Sequence, residues 1–177
     1  MIVDEADLAA HARRAYERGR LGWSVRHALA AAAIAGVACF TCAAPGAPAA
    51  CAAALGVLLA ACLWRGGSWA RGARLGFLAG LVPCFFPAAC RALHLCSQQA
   101  CLGLSGVCLV AGVVAGALAA GIGLRLHGDR RFWLAAATAL VLAGAVGCLS
   151  AGLAGLGGMA VGILAGAAAP VLVSRVA

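Results

Sequence analysis

The residues best equipped for chemistry are cysteines, ten of them in 177 residues, joined by one well-placed histidine. The densest stretch runs from Pro83 through Cys84, Pro87, Cys90, Arg91, His94 and Cys96 to Cys101. Cys90 and His94 are four apart, so on a helix they share one face. Cys96 and Cys101 fall in the short connection that follows, and Cys39-Phe40-Thr41-Cys42 adds a C-x-x-C. Thiolate and imidazole are the ligands that soft or borderline ions such as Zn(II), Cu(I) and Hg(II) prefer. The candidate ligand set is therefore Cys90, His94, Cys96, Cys101, Cys39 and Cys42. Two other readings of the cysteines stay open. In an oxidising compartment, Cys90 or Cys96 with Cys101, and Cys39 or Cys42 with Cys51, would form disulfides that pin loops. In an apolar helix a cysteine is also simply a small hydrophobe.

The elements that position these residues are read from hydropathy. No lysine occurs, no carboxylate lies between Glu17 and Asp129, and mean hydropathy is +1.04 with 65% hydrophobic residues. A soluble domain of this size has too little interior to hide that much apolar surface. Runs of about twenty apolar residues suit membrane spans. Six are present, at about 27–44, 48–64, 75–93, 101–124, 132–150 and 153–173. Pro45-Gly46-Ala47-Pro48 turns the first pair into a hairpin. The stretch Trp64 to Arg74, with two tryptophans and three arginines, is expected to be a loop at the headgroup layer, and His127 to Arg131 plays the same part later. Counted by alternate loops, twelve arginines fall on one side and only Arg91 on the other, which predicts both termini in the cytoplasm. The expected fold is an all-α integral membrane protein of the cell membrane: a six-helix bundle whose third helix is kinked by Pro83 and Pro87.

On that topology Cys39, Cys42, Cys51, Cys90, Cys96, Cys101 and Cys148 face outward, Cys84 sits somewhat deeper, Cys108 near mid-bilayer and Cys62 near the cytoplasmic face. Arg91 has no acidic neighbour in sequence; its cheapest role is to extend to lipid phosphates, and binding an anion is the alternative. His11, His27 and His127 fall in polar cytoplasmic segments.

Residues 1–26 form a cytoplasmic segment distinct from the transmembrane domain 27–177. Asp4, Glu5 and Asp7 precede Arg13, Arg14, Arg18 and Arg20, so a helix there has charges matched to its dipole. It is expected to lie on anionic lipid through its arginines and Trp23, or to dock a cytoplasmic protein partner, with Gly19 and Gly22 loosening the approach to the first span. A cleaved signal peptide is the competing reading of the start, but the basic region is too long and the apolar stretch exceeds the usual roughly 7 to 15 residues, so residues 1–44 are expected in the mature chain. Among 25 glycines, Gly158, Gly162 and Gly166, then Gly112 and Gly116, and Gly144, Cys148 and Gly152 make small-residue rows that serve either packing within the chain or homo- or hetero-oligomers. Spans four to six are expected to be the compact half.

Several functions are disfavoured. The predicted spans hold no Asp, Glu or Lys for a proton relay, and the chain has no phosphate loop, dinucleotide fingerprint or hydrolytic carboxylate pair. No enzyme is expected, and the net charge of +8 is explained by topology rather than by nucleic acid.

The Cys39-Phe40-Thr41-Cys42 element and the Pro83-to-Cys90 element, beside an arginine-rich cytoplasmic side, resemble the small bacterial mercury-uptake membrane proteins. Those carry adjacent cysteines in their first span and usually fewer spans, whereas here the pair is spaced. The six-span plan with a charged amphipathic N-terminus resembles that of some membrane-bound anti-sigma factors. Two functions are thus in competition: an outward-facing Cys/His cluster that binds or passes a soft metal ion or senses thiol redox state, and a non-catalytic regulatory or scaffold protein that docks a partner through residues 1–26.

Overall fold

A computed structural model describes residues 5–39, 46–92, 101–149 and 152–176. Six α-helices account for nearly all of them: α1 (Glu5–Cys39), α2 (Gly46–Arg65), α3 (Gly67–Ala92), α4 (Cys101–Arg125), α5 (Arg130–Cys148) and α6 (Leu153–Val176). No strand occurs among the described residues. Gly46–Arg65, Gly106–Arg125 and Arg130–Cys148 are long and apolar enough to cross a membrane, and Leu153–Ala169 is a shorter apolar stretch. At 1.5 Å per residue the 20 residues of α2 span about 30 Å, the thickness of a hydrocarbon core.

The bundle is built on two close pairs, α3 with α5 and α4 with α6. The α3–α5 pair is central; α4 meets it through α3, and α2 packs against both α3 and α5 with α1 outside it. Glycine makes both pairs possible. Gly72, Gly76 and Gly80 recur every fourth residue along α3, and a Cβ on them would collide in turn with the backbone of Phe132, of Ala136 and of Leu140. Both helices therefore run in the same direction with a constant offset of sixty residues. Gly112 and Gly116 meet Met159 and Ile163, while Gly162 and Gly166 meet Leu109 and Val113, so α4 and α6 are likewise parallel. Where lipid offers helices no hydrophobic reward for meeting, such close backbone approach supplies the dispersion contacts that hold them.

The glycine rows anticipated at 112–116 and 162–166 thus serve seams within the chain. The expected compact block of spans four to six is corrected, because α5 makes little contact with α4 or α6 and pairs with α3 instead. Two local expectations also change. The stretch from Trp64 to Arg74 is not an open loop: only Gly66 separates α2 from α3, because Gly66 (φ +69°) and Gly67 (φ +56°) take left-handed conformations that reverse the chain at once. Gly19 and Gly22 do not loosen α1, which runs unbroken for 35 residues, about 52 Å. In its middle Ser24 is fully buried, with its hydroxyl donating to the Arg20 carbonyl. At the turn between α4 and α5, His127 (φ +47°) closes α4, and Asp129 caps α5 by accepting from the Phe132 N–H at 3.0 Å.

Candidate thiol site

Alternating helices put the C-terminal ends of α1, α3 and α5 and the N-terminal ends of α2, α4 and α6 at one end of the bundle, the end opposite most arginines. Of the six residues expected to ligate metal, Cys90 is buried near the end of α3. The backbones of Cys39 and Cys101 close α1 and open α4 at that same end. Their side chains, and the whole of Cys42, His94 and Cys96, lie outside the described residues, as does the side chain of Arg91.

The structure brings together a different set. Cys108 of α4 and Cys148 at the end of α5 pack together in the interior, and Cys84 of α3 lies in the adjoining cluster with its backbone close to Gly147. Cys84, Cys108 and Cys148 are 3%, 0% and 0% exposed. Cys108 and Cys148 share one packed cluster, and both Cys108 and Cys84 lie within electrostatic reach of the Cys148 thiol. Met159 of α6, 2% exposed, packs against Cys108 and Cys148. Every helix of the two close pairs therefore contributes one sulfur. Glycine again clears the space: a methyl on Gly144 would stand 2.5 Å from Met159 Sδ and 3.0 Å from Pro83 Cγ, and one on Gly147 would run into the backbone of Cys84.

The prolines of α3 explain one contact. Pro87 has no N–H, so the carbonyl of Pro83, four residues earlier, loses its helical donor. Cys148 replaces it, with Sγ 3.7 Å from the Pro83 oxygen. Such a repair is what a proline inside an apolar bundle requires. The helix assignment continues through both prolines to Ala92.

The site's depth follows from helix rise. Cys84 lies eight residues before the end of α3 and Cys108 seven after the start of α4, about 12 and 10 Å from those ends. Cys90 is six residues beyond Cys84, about 9 Å nearer the same end. Cys51 is half-buried one to two turns into α2, and Cys62 is buried at the opposite end, near Arg65. Among the described residues, no three or more His, Cys, Asp and Glu side chains are arranged to hold a metal ion. The arrangement does offer a packed thiol pair, Cys108 and Cys148, with Met159 in the same cluster and Cys84 in the next. Sequence reasoning placed Cys84 and Cys108 deeper than the rest but did not join them. The usable signal was their nearly equal count from the connection at 93–100.

The fold and composition define an all-helical protein with at least three helices fit to cross a membrane. No protein-family model, curated protein or solved structure matches the chain.

Proposed function

We propose that the chain is a small polytopic protein of the cell membrane, with six spans, both termini in the cytoplasm and a third span bent near Pro83 and Pro87, that binds or passes a soft metal ion through its thiols. The observation that carries this reading is the packing of Cys108 and Cys148 with Met159 in one buried cluster, with buried Cys84 in the adjoining one. The arginine imbalance of twelve to one supports the orientation. Zn(II) asks for four ligands in a tetrahedron, which this group does not offer. Cu(I) and Hg(II) accept two sulfurs, which suits Cys108 and Cys148 with Cys84 and Met159 alongside. Binding would release the thiol protons, since thiolate is the ligand form. The outer group, Cys39, Cys42, Cys90, His94, Cys96 and Cys101, is the proposed point of capture, and the buried group is the next station inward.

The test is a Cu(I) competition titration of the full chain under reducing conditions. Cys108→Ser and Cys148→Ser should each weaken binding by about tenfold or more, whereas Cys62→Ser, at the other end, should leave it unchanged. Equal affinity in all three variants would remove the buried group from the function.

The second reading, docking of a soluble protein through residues 1–26, is favoured by one observation. Residues 13–19 of α1 are exposed on every face. A helix polar all round is suited to a partner or to solvent rather than to the bundle. Pull-down with and without residues 1–26 tests it; unchanged capture of every partner by the truncated chain would defeat it.

A further inference from the structure

At the arginine-bearing end, α1 leans against the turn between α2 and α3 and borders an open, shallow cleft of about 810 Å³. Arg20, Arg71 and Arg74 line it together with Tyr16, Trp23 and the Gly66–Gly67 turn. No carboxylate is among the lining residues. The ion pair among the described residues lies outside it, Arg13 to Glu17 at 3.2 Å. Three guanidiniums thus line a shared space whose walls hold no carboxylate, and Glu17 stands in the adjoining groove that also borders Arg20.

Their placement is built rather than loose. The Arg20 guanidinium lies where a Cβ on Gly66 would stand, so it is seated directly on the turn. The Arg74 guanidinium lies over the Trp23 ring, 4.6 Å from its centroid, and Trp23 in turn packs on His27. Arg71 is exposed at the rim. The N-terminus of α3 opens into the cleft at Gly66 and Gly67, and its first turn carries no acidic residue. Its unpaired backbone N–H groups and dipole add to a field that favours an anion. Guanidinium, with its planar fork, matches phosphate oxygens two at a time.

The position selects the source of the phosphate. The cleft stands at the end of α2, one of the three helices whose length and hydropathy match a bilayer, and Trp64 beside it is 56% exposed. Trp69 lies under the Arg65 guanidinium at 5.9 Å on the same level. Exposed tryptophans and arginines at the end of a span mark the headgroup layer. We propose that this cleft binds the phosphate headgroup of an anionic phospholipid, which fastens the extramembrane half of α1 to the α2–α3 turn. The inference depends on the membrane reading of α2 and is independent of the thiol site.

The test uses the full chain in phosphatidylcholine nanodiscs doped with phosphatidylglycerol, with retained lipid measured by native mass spectrometry after release into detergent. One phosphatidylglycerol should stay with each wild-type chain. Arg71→Gln, a rim change with no stacking contact to lose, should weaken retention about tenfold, the scale of a lost charge-assisted hydrogen bond. Arg20→Gln with Arg71→Gln should abolish it, while Arg125→Gln with Arg130→Gln, in the other arginine-bearing turn, should not alter it. Equal loss in both double variants would reduce the effect to diffuse attraction and overturn the site, as would a wild-type chain that retains no anionic lipid. Soluble glycerol 3-phosphate provides the remaining arm. Failure to displace the lipid supports the headgroup assignment, whereas displacement at equal concentration would assign the cleft to a soluble phosphate ester and overturn it.

Discussion

Replacing Gly76 with alanine should separate the central helix pair. A methyl group there would stand 2.8 Å from both the carbonyl carbon and the Cα of Ala136 and would overlap the Ala136 oxygen. Carbon atoms rest about 3.5–4.0 Å apart, so α5 would have to retreat by about 1 Å. The obstacle is backbone, which no rotamer change can move aside. The retreat would also loosen Gly72 from Phe132, Gly80 from Leu140 and Gly147 from Cys84 along the same seam. Overpacking of this kind costs about 1–3 kcal/mol, and an unyielding neighbour puts Gly76 at the upper end. Helix propensity returns about 1 kcal/mol of that, since alanine favours a helix over glycine. The net cost of about 2 kcal/mol lowers the folded-to-unfolded ratio about thirtyfold. At about 2–4 °C per kcal/mol for a chain of this length, the melting midpoint should fall by about 4–8 °C. Near-UV circular dichroism melts in detergent read this directly. Gly121→Ala is the control, because nothing lies within 4 Å of a Cβ at that position. Equal midpoints for the two variants would refute the seam.

Other substitutions check separate parts of the account. Cys148→Ser should melt near wild type, because a serine hydroxyl still donates to the Pro83 carbonyl; Cys148→Ala should lose about 1–3 kcal/mol by leaving that buried acceptor unpaired, and equal melts for the two would show that the contact contributes nothing. Asp129→Ala should cost about 1 kcal/mol through loss of the α5 cap, visible as a lower midpoint that Asp129→Asn largely restores. A thiol placed at Ala47 in a cysteine-free background should react with an impermeant maleimide from outside intact cells; labelling from the cytoplasm alone would reverse the topology.

Much of the architecture was legible in the sequence because long apolar runs broken by arginine, proline and glycine leave little choice of element. Five of the six anticipated spans fall within or nearly within α2 to α6, and α1 contains most of the first. Composition failed at Trp64 to Arg74, where tryptophan and arginine looked like a loop although two left-handed glycines accomplish the whole turn at Gly66 and Gly67. It also failed at Gly19 and Gly22, because glycine lowers helix propensity without preventing a helix that nearby arginine, leucine and alanine favour. The i, i+4 glycine rows on α4 and α6 were readable as close-packing faces, but which row meets which is a tertiary fact. The row on α3 at Gly72, Gly76 and Gly80 was missed, since Gly72 fell in the expected loop and left only Gly76 and Gly80 inside the span. The thiol site was half legible. Equal counting from one connection levels Cys84 with Cys108, whereas Cys148 looked superficial because it ends its helix, and only the pairing of α5 with α3 carries it inward.

The most direct measurement is metal stoichiometry in a chain that keeps Cys84, Cys108 and Cys148 and has serine at its other seven cysteines. Purified under reducing conditions, exposed to Cu(I) and freed of excess ion with a chelator, this chain should retain one copper, and X-ray absorption should find sulfur as its nearest neighbours. A chain that folds with wild-type helicity yet holds no copper, or holds it through nitrogen and oxygen alone, would contradict the claim that the buried thiols form a soft-metal site.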